Sequence, residues 1–273
     1  MNLFKCELCE FKNPKASATA AIIRDNKLLL LTRDKQPFFG FLDFPGGYVN
    51  ENEHPETAVL REVFEELGVY AGRATFIQTV PGYSHWKKKM FPIISNFYLI
   101  DIGKQKISLN DENSTHIWAP IAEIPMGRIA FDTNYWFCIW LKNHWSYDLT
   151  RVRELIKQLD DSAEFDEQKL YQATLNGYIS KKYDGGKLIG MGWIFPRTTL
   201  LRKQAIVEDM IVDNAYRGKG LGFAILDDLV KWAAEQGTEI IELTSNPLRE
   251  AANGLYQKYG FKLHPTNHYL YRI

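Results

Sequence analysis

Apolar and polar positions change their period along the chain, and those changes mark out its elements. Residues 18–23 are a strand-like, mostly apolar run, Arg24-Asp25-Asn26-Lys27 is polar, and the run from Leu28 to Thr32 turns apolar again, which predicts a β-hairpin. Residues 38–48 are aromatic and interrupted by Pro45-Gly46-Gly47, the mark of a strand entering a tight turn. From Pro55 the period lengthens. Leu60, Val63, Phe64 and Leu67 recur at helical spacing, with Pro55 in the first turn and Gly68 just past the last. Strands are predicted at 74–80 and 91–102, and a helix over about 133–142.

A second set of elements begins at Trp145-Ser146-Tyr147. Helical patterns cover 150–159 and 167–181, and strand-like runs cover 187–195 and 205–212. A glycine-rich turn leads into a helix over about 220–235, then a strand at 239–244, a helix at 248–259 and a last strand from Phe261. Strands alternating with helices predict an α/β chain. A length of 273 residues suits two ordinary domains, and the boundary is placed near Asn143, giving 1–143 and 144–273.

Composition narrows the function classes. Apolar residues at 45% and charged residues at 24% describe a globular protein with ample core material. Thirty-three basic residues balance thirty-three acidic ones, so no global positive field draws the chain to nucleic acid or an anionic membrane. The apolar runs are too short to span a bilayer, and the opening residues lack the apolar core of a secretory signal. With three cysteines, Cys6, Cys9 and Cys138, a disulfide scaffold is not expected, and a reducing, cytoplasmic setting is. Cys6 and Cys9 have the spacing of a zinc pair, but the second pair that would complete a four-ligand site is absent, so zinc is not expected there.

The densest chemistry lies on the helix after Pro55. Glu62, Glu65 and Glu66 stand at i, i+3 and i+4, so their carboxylates share one helix face. A bare acidic cluster is ordinarily a solvated face. Like charges without an interleaved lysine otherwise call for a cation, and oxygen ligands favour Mg²⁺ or Mn²⁺. Arg61 can anchor one carboxylate by a charge-assisted hydrogen bond.

The wider segment favours the metal. Gly47, Glu53, Arg61, Glu62, Glu65, Glu66 and Gly68, with Val59 and Val69 in place, match the Nudix box. Chance agreement at seven such positions is on the order of one in 10⁸. About 140 residues thus resemble the Nudix hydrolases, which implies an α/β/α sandwich and cleavage of a nucleoside diphosphate linked to another group. The resemblance makes Glu62, Glu65 and Glu66 metal ligands, with the Gly46 carbonyl as a further one. It gives Arg61 an orienting role, includes Glu53 in the catalytic set, and makes Glu112 a candidate base or ligand outside the box. It also implies a homodimer. The opening CELCEFKNPKA, with FPGG after it, resembles the branch of ADP-ribose and NADH pyrophosphatases. Phe38, Phe39, Tyr83, His85 and Trp86 are candidates to stack on a base, and Lys87, Lys88 and Lys89 to meet phosphate, although packing explains each aromatic equally well.

In the second half, Arg217-Gly218-Lys219-Gly220-Leu221-Gly222 lies between a strand and a helix. Glycines there let backbone approach a ligand, and the N–H groups of a helix start bind anions. A tight strand–helix connection would look the same. The order of strand, RGKGLG, helix, strand and REAANGLYQKYGF is similar to the GNAT N-acetyltransferases, and the likeness runs from Trp145 to the end. It implies a mixed-sheet α/β domain that binds acetyl-CoA, with the diphosphate at Arg217, Gly218, Lys219, Gly220, Leu221 and Gly222. The pantetheine arm would run along Met210, Ile211 and Val212. Tyr256 would reprotonate the departing thiolate and Glu208 would serve as base toward an amine acceptor. Arg249 stands where the family often has asparagine, which leaves the catalytic pair open. The whole chain then reads as a bifunctional enzyme. The other reading makes one domain, the acetyltransferase-like one above all, a sensor that binds its nucleotide without turnover.

Overall fold

The computed structural model of the protein describes residues 13–86 and 89–271. Its contacts divide the chain into two compact units. One runs to Leu149 and takes in Asp166–Gln172; the other comprises Thr150–Phe165 and the chain from Ala173.

The first unit is built on a seven-stranded sheet. Strands β1 (Lys15–Arg24) and β2 (Lys27–Arg33) meet at Asp25 and Asn26, whose φ values of 50° and 56° suit the tight hairpin turn that these two residue types tolerate. Short strands β3 (Leu42–Asp43) and β4 (Gly46–Tyr48) lead to helix α1 (Pro55–Leu67). Strands β5 (Ala74–Trp86) and β6 (Lys89–Ile100) pair antiparallel, and β7 (Asn113–Pro120) and helix α2 (Asp132–His144) follow. The strand order is β3-β2-β1-β6-β5, with β4 on β1 and β7 on β2. Strands β1 and β6 run parallel.

Both faces of this sheet are covered, which is why β1 is buried without alternation from Ser17 to Ile23. On one face Ala18, Ala20 and Ile22 pack with Ala58, Val59, Val63 and Leu67 of α1. On the other, Phe97 stacks on Phe137 of α2 at 3.8 Å, with Phe44 edge-on to both. The result is the α/β/α sandwich implied by the sequence. Helices α3 (Leu149–Leu159) and α4 (Glu167–Leu175) come next. Within the first unit, the Glu167 carboxylate accepts the N–H groups of Asp25 (2.7 Å) and Asn26 (3.1 Å), and Gln168 donates to the Ile23 carbonyl at 2.8 Å.

The second unit carries strands β8 (Tyr178–Asp184), β9 (Lys187–Thr198) and β10 (Lys203–Val212), helix α5 (Leu221–Glu235), strand β11 (Ile240–Leu243) and helix α6 (Glu250–Tyr259). The sheet order is β11-β10-β9-β8. Only β10 and β11 run parallel, so the sheet is mixed as expected. Ile225, Leu226, Leu229 and Ala233 of α5 close the core against Ile194, Ala205 and Val207.

Three expectations about elements are corrected. The helix expected over 167–181 ends at Leu175, and residues 178–184 form β8. A Cβ at Gly177 would lie 2.0 Å from the Ile194 carbonyl oxygen, so the chain there runs against a neighbouring strand. Strand β7 was not predicted, because its polar residues obscure any period-2 pattern. The last strand, expected from Phe261, is not formed among the described residues, where Phe261 instead packs near Tyr256 and Tyr259. No helix of the described residues is long and apolar enough to cross a membrane.

Candidate functional sites

The first site grows from α1. The His54 side chain caps the helix by accepting the Glu56 N–H at 3.2 Å, and Gly68 ends it at φ 63° with its N–H on the Phe64 carbonyl. Between these caps Glu62 and Glu66 lie against the β4 turn, while the exposed Glu65 pairs with Arg61. Arg61 lies among them: Nε and Nη2 reach Glu53 at 2.8 and 3.0 Å, and Nη1 reaches Glu62 at 2.7 Å and Glu65 at 3.0 Å. A further bond from Nη2 to the Tyr48 carbonyl, 3.2 Å, ties the fork to β4. Glu66 accepts the Gly46 N–H at 2.8 Å and the Asn113 amide at 3.3 Å. A Cβ at Gly47 would fall 2.3 Å from a Glu62 oxygen, so only glycine lets the carboxylate lie against this turn.

Electrostatics distinguish the four acids. The Arg61 hydrogen bonds and the Asn50 N–H hold Glu53 down at about 2. Burial pushes Glu66 up to about 8, helped by the charges of Asp43 and Glu62 and opposed by the Gly46 N–H. Burial also raises Glu62, against Arg61. Glu65 is half exposed. Glu112, in an ion pair with Lys35 at 3.1 Å, is close enough for its charge to act on Glu62. Among the described residues no three His, Cys, Asp or Glu side chains converge as a metal-ligand group, because Arg61 stands between the glutamates. The donors nonetheless suit a hard cation. They are carboxylate oxygens, those of Glu62 and Glu66 half-buried and raised in pKa by it, against a glycine turn with no room for a side chain.

Near Glu66, whose pKa the Asp43 charge helps raise, lies a cluster of residues from distant segments. Asp43 receives Arg33 at 2.5 Å, Asn134 at 2.7 Å and the Phe44 N–H at 2.9 Å, and burial raises its pKa despite Arg33. Phe38 and Phe131 meet edge to face at 5.0 Å, and both hold positive φ, 67° and 63°. Such backbone in bulky residues is strained and persists where surrounding structure enforces it. The Phe38 ring also meets His85, whose buried Nδ1 has no hydrogen-bond partner among the described residues. Phe38 and His85 were singled out in the sequence; Arg33, Asp43, Phe131 and Asn134 were not, since no spacing links them. Phe39 and Tyr83 are exposed. Cys6, Cys9, Lys87, Lys88 and the Trp86 side chain lie outside the described residues. Cys138 is buried in α2 and its thiol is pushed up to about 12 by burial.

The second site is an open cleft of about 1730 Å³ in the second unit. A bulge in β10 between Glu208 and Ile211, with Asp209 at φ 50°, breaks the ladder at its edge. Met210, Ile211 and Val212 line the cleft beyond it. Arg217, Gly218, Gly220, Leu221 and Gly222 line it as well. Lys219 does not; its ammonium sits 5.0 Å from the Tyr216 ring. Gly220 takes φ 79° as the cap of α5 and gives no side-chain hydrogen bond, so the first N–H groups of a 15-residue helix remain open to an anion. Glu208 and Tyr256 face this cleft, and burial raises the pKa of each, with Asp209 adding to Glu208. Arg249 donates to the Leu159 carbonyl at 3.0 Å.

With these geometries in view, comparison with known proteins gives a consistent assignment. Residues 14–137 match the NUDIX domain, and residues 143–261 match the acetyltransferase (GNAT) family. Over 122 residues, 45% of this chain and 70% of the relative, the protein is 27% identical to an ADP-ribose pyrophosphatase of Methanocaldococcus jannaschii. It is 39% identical over 69 residues to an 8-oxo-dGTP diphosphatase of Proteus vulgaris, covering 24% of this chain and 62% of that one. It is 34% identical over 64 residues to N-acetyltransferase 8B of Homo sapiens, covering 23% of this chain and 28% of that one. Both families are families of enzymes; Nudix hydrolases generally use divalent metals and GNAT enzymes use acetyl-CoA. The chain joins a NUDIX domain to a domain of the acetyltransferase (GNAT) family.

Proposed function

We propose that the protein is bifunctional: the first unit hydrolyses a nucleoside diphosphate linked to another group, of the ADP-ribose kind, and the second transfers acetyl from acetyl-CoA to an amine. The observation behind the first activity is the pair of half-buried carboxylates of Glu62 and Glu66, whose pKa values burial raises, packed on Gly46 and Gly47. Glu62, Glu65 and Glu66, with the Gly46 backbone, would hold Mg²⁺ or Mn²⁺. A divalent ion bound there neutralises diphosphate oxygens and lowers the pKa of the attacking water. Arg61, anchored by two bonds to Glu53, aims Glu62 and Glu65. Glu112, exposed beside the cluster, is placed to accept a proton from water. The clustered rings of Phe38, Phe131 and His85 would supply an aromatic wall for the base.

In the second unit the uncapped start of α5 and its left-handed glycines support diphosphate binding. Glu208 takes the proton of the acceptor amine, and Tyr256 returns one to the departing thiolate; both face the one cleft. A panel of ADP-ribose, NADH, nucleotide sugars, nucleoside triphosphates and CoA, incubated with Mg²⁺, tests the hydrolase. Release of nucleoside monophosphate that disappears in a Glu65→Gln, Glu66→Gln variant is expected. No turnover of any member would leave the first unit a nucleotide-binding module.

A further inference from the structure

The approach to the diphosphate loop is fixed by a helix with no part in the glycine motif. Arg151, on α3, is buried at 6% exposure, and Asp213, between β10 and the loop, at 5%. The Arg151 guanidinium contacts Asp213 through Nη2, donates from Nε to the Leu188 carbonyl at 2.7 Å, and from Nη1 to Glu154 at 2.8 Å. The other Asp213 oxygen accepts the Ala215 N–H at 2.9 Å, and its carbonyl accepts the Tyr216 N–H at 2.8 Å. About two helical turns further along α3, Gln158 accepts the Asn214 N–H at 2.9 Å. Finally, Arg217 closes back onto the Val212 carbonyl at 3.1 Å. Every residue from Val212 to Arg217 is thereby held by a bond or flanked by one that is.

We propose that Arg151 is a positioning residue for acyl-CoA binding: through Asp213 it pre-orders the backbone that enters Gly218–Gly222, and so sets affinity for the diphosphate of the ligand. The inference rests on the acetyl-CoA reading of the cleft. The physical ground is that Gly218 and Gly220, at φ 75° and 79°, are intrinsically free to leave the conformation that aims the α5 N–H groups. A flexible loop must be ordered when an anion binds, and that ordering opposes affinity. A planar guanidinium with three fixed bonds removes the freedom beforehand. The anchor is buried and lies at the loop's base, where its own charge does not meet the ligand.

A merely structural ion pair would also be buried, and the test separates the two. Coenzyme A carries the diphosphate and pantetheine does not. Dissociation constants for both are measured on the full chain by calorimetry, pantetheine by competition, with the unfolding midpoint of each variant recorded. Arg151→Met should weaken coenzyme A at least about tenfold and change pantetheine less than twofold. Arg151→Lys, which keeps charge but loses the fork, should fall between wild type and Arg151→Met. Equal weakening of both ligands, or an unchanged affinity for coenzyme A in a folded variant, overturns the proposal. Where Arg151→Met fails to fold, Asp213→Asn, which keeps an oxygen for the Ala215 N–H, decides by the same ratio. A wild-type protein without affinity for coenzyme A overturns the acetyl-CoA reading itself, and the positioning role with it.

Discussion

On the proposed reading, the two sites would hold a diphosphate with opposite materials. In the first unit the site consists of side chains: negative groups crowded on one helix face, neutralised on one flank by Arg61 and open to a cation on the other. In the second it consists of backbone: the N–H groups of an uncapped helix behind two left-handed glycines. A carboxylate site keeps its shape through packed side chains and depends on an ion for its charge. A backbone site carries its charge in the helix and depends on pre-ordered geometry. Substitution should therefore damage the two in different ways.

The largest contrast is expected from Glu66→Gln. Hydrolysis should fall at least about 10²-fold, beyond what loss of an outer partner of a metal usually costs. The same protein should keep its affinity for coenzyme A; loss of both in a folded variant would end the comparison. Next comes Gly220→Val. A branched residue at φ 79° costs roughly 1–2 kcal/mol of backbone strain, and coenzyme A affinity should drop about tenfold or more with hydrolysis intact. An unaffected affinity would show that the α5 N–H groups do not hold the diphosphate.

Metal offers a gentler probe. At a hundred times its dissociation constant, Mg²⁺ should stabilise the first unit by about 2.7 kcal/mol, and not in Glu66→Gln. A thermal shift equal in both proteins would assign the effect to another site. The smallest effect is expected from acid. Asp213 is held below the usual carboxylate range by the Ala215 N–H and by Arg151. Its contribution is complete above the unfolded value near pH 4 and is lost as pH falls through the lower folded value. Below about pH 4 the second unit of wild type should thus lose stability more steeply than Asp213→Asn; parallel curves would deny the pair any stabilising role.

How much of this was legible depended on where the information lies. Helix α1 declared itself through Pro55, Gly68 and the spacing of three glutamates, all local signals. The loop of the second site was equally local, since two glycines must occupy left-handed positions next to a helix start. What the sequence concealed is assembled from a distance. Asp43, Phe131 and Asn134 are spread over a long stretch of chain, and the 91-residue separation of the Asp43–Asn134 bond has no periodic trace. Arg151 and Asp213 are 62 residues apart and similarly silent. Among the elements, β7 was missed because its polar residues gave no period, and β8 because the helical pattern continued past Asn176-Gly177.

The grip of Glu167 on the β1–β2 turn bears on how this protein can be cut. A recombinant fragment that stops where the NUDIX match does would leave the Asp25 and Asn26 amides without Glu167, and would lack both Trp145 and Tyr171, whose rings lie 4.9 Å apart within the first unit. Because Thr150–Phe165 belongs to the second unit and Asp166–Gln172 to the first, no single cut yields both intact: a first fragment that keeps Glu167 must run through Gln172 and so takes α3 from the second.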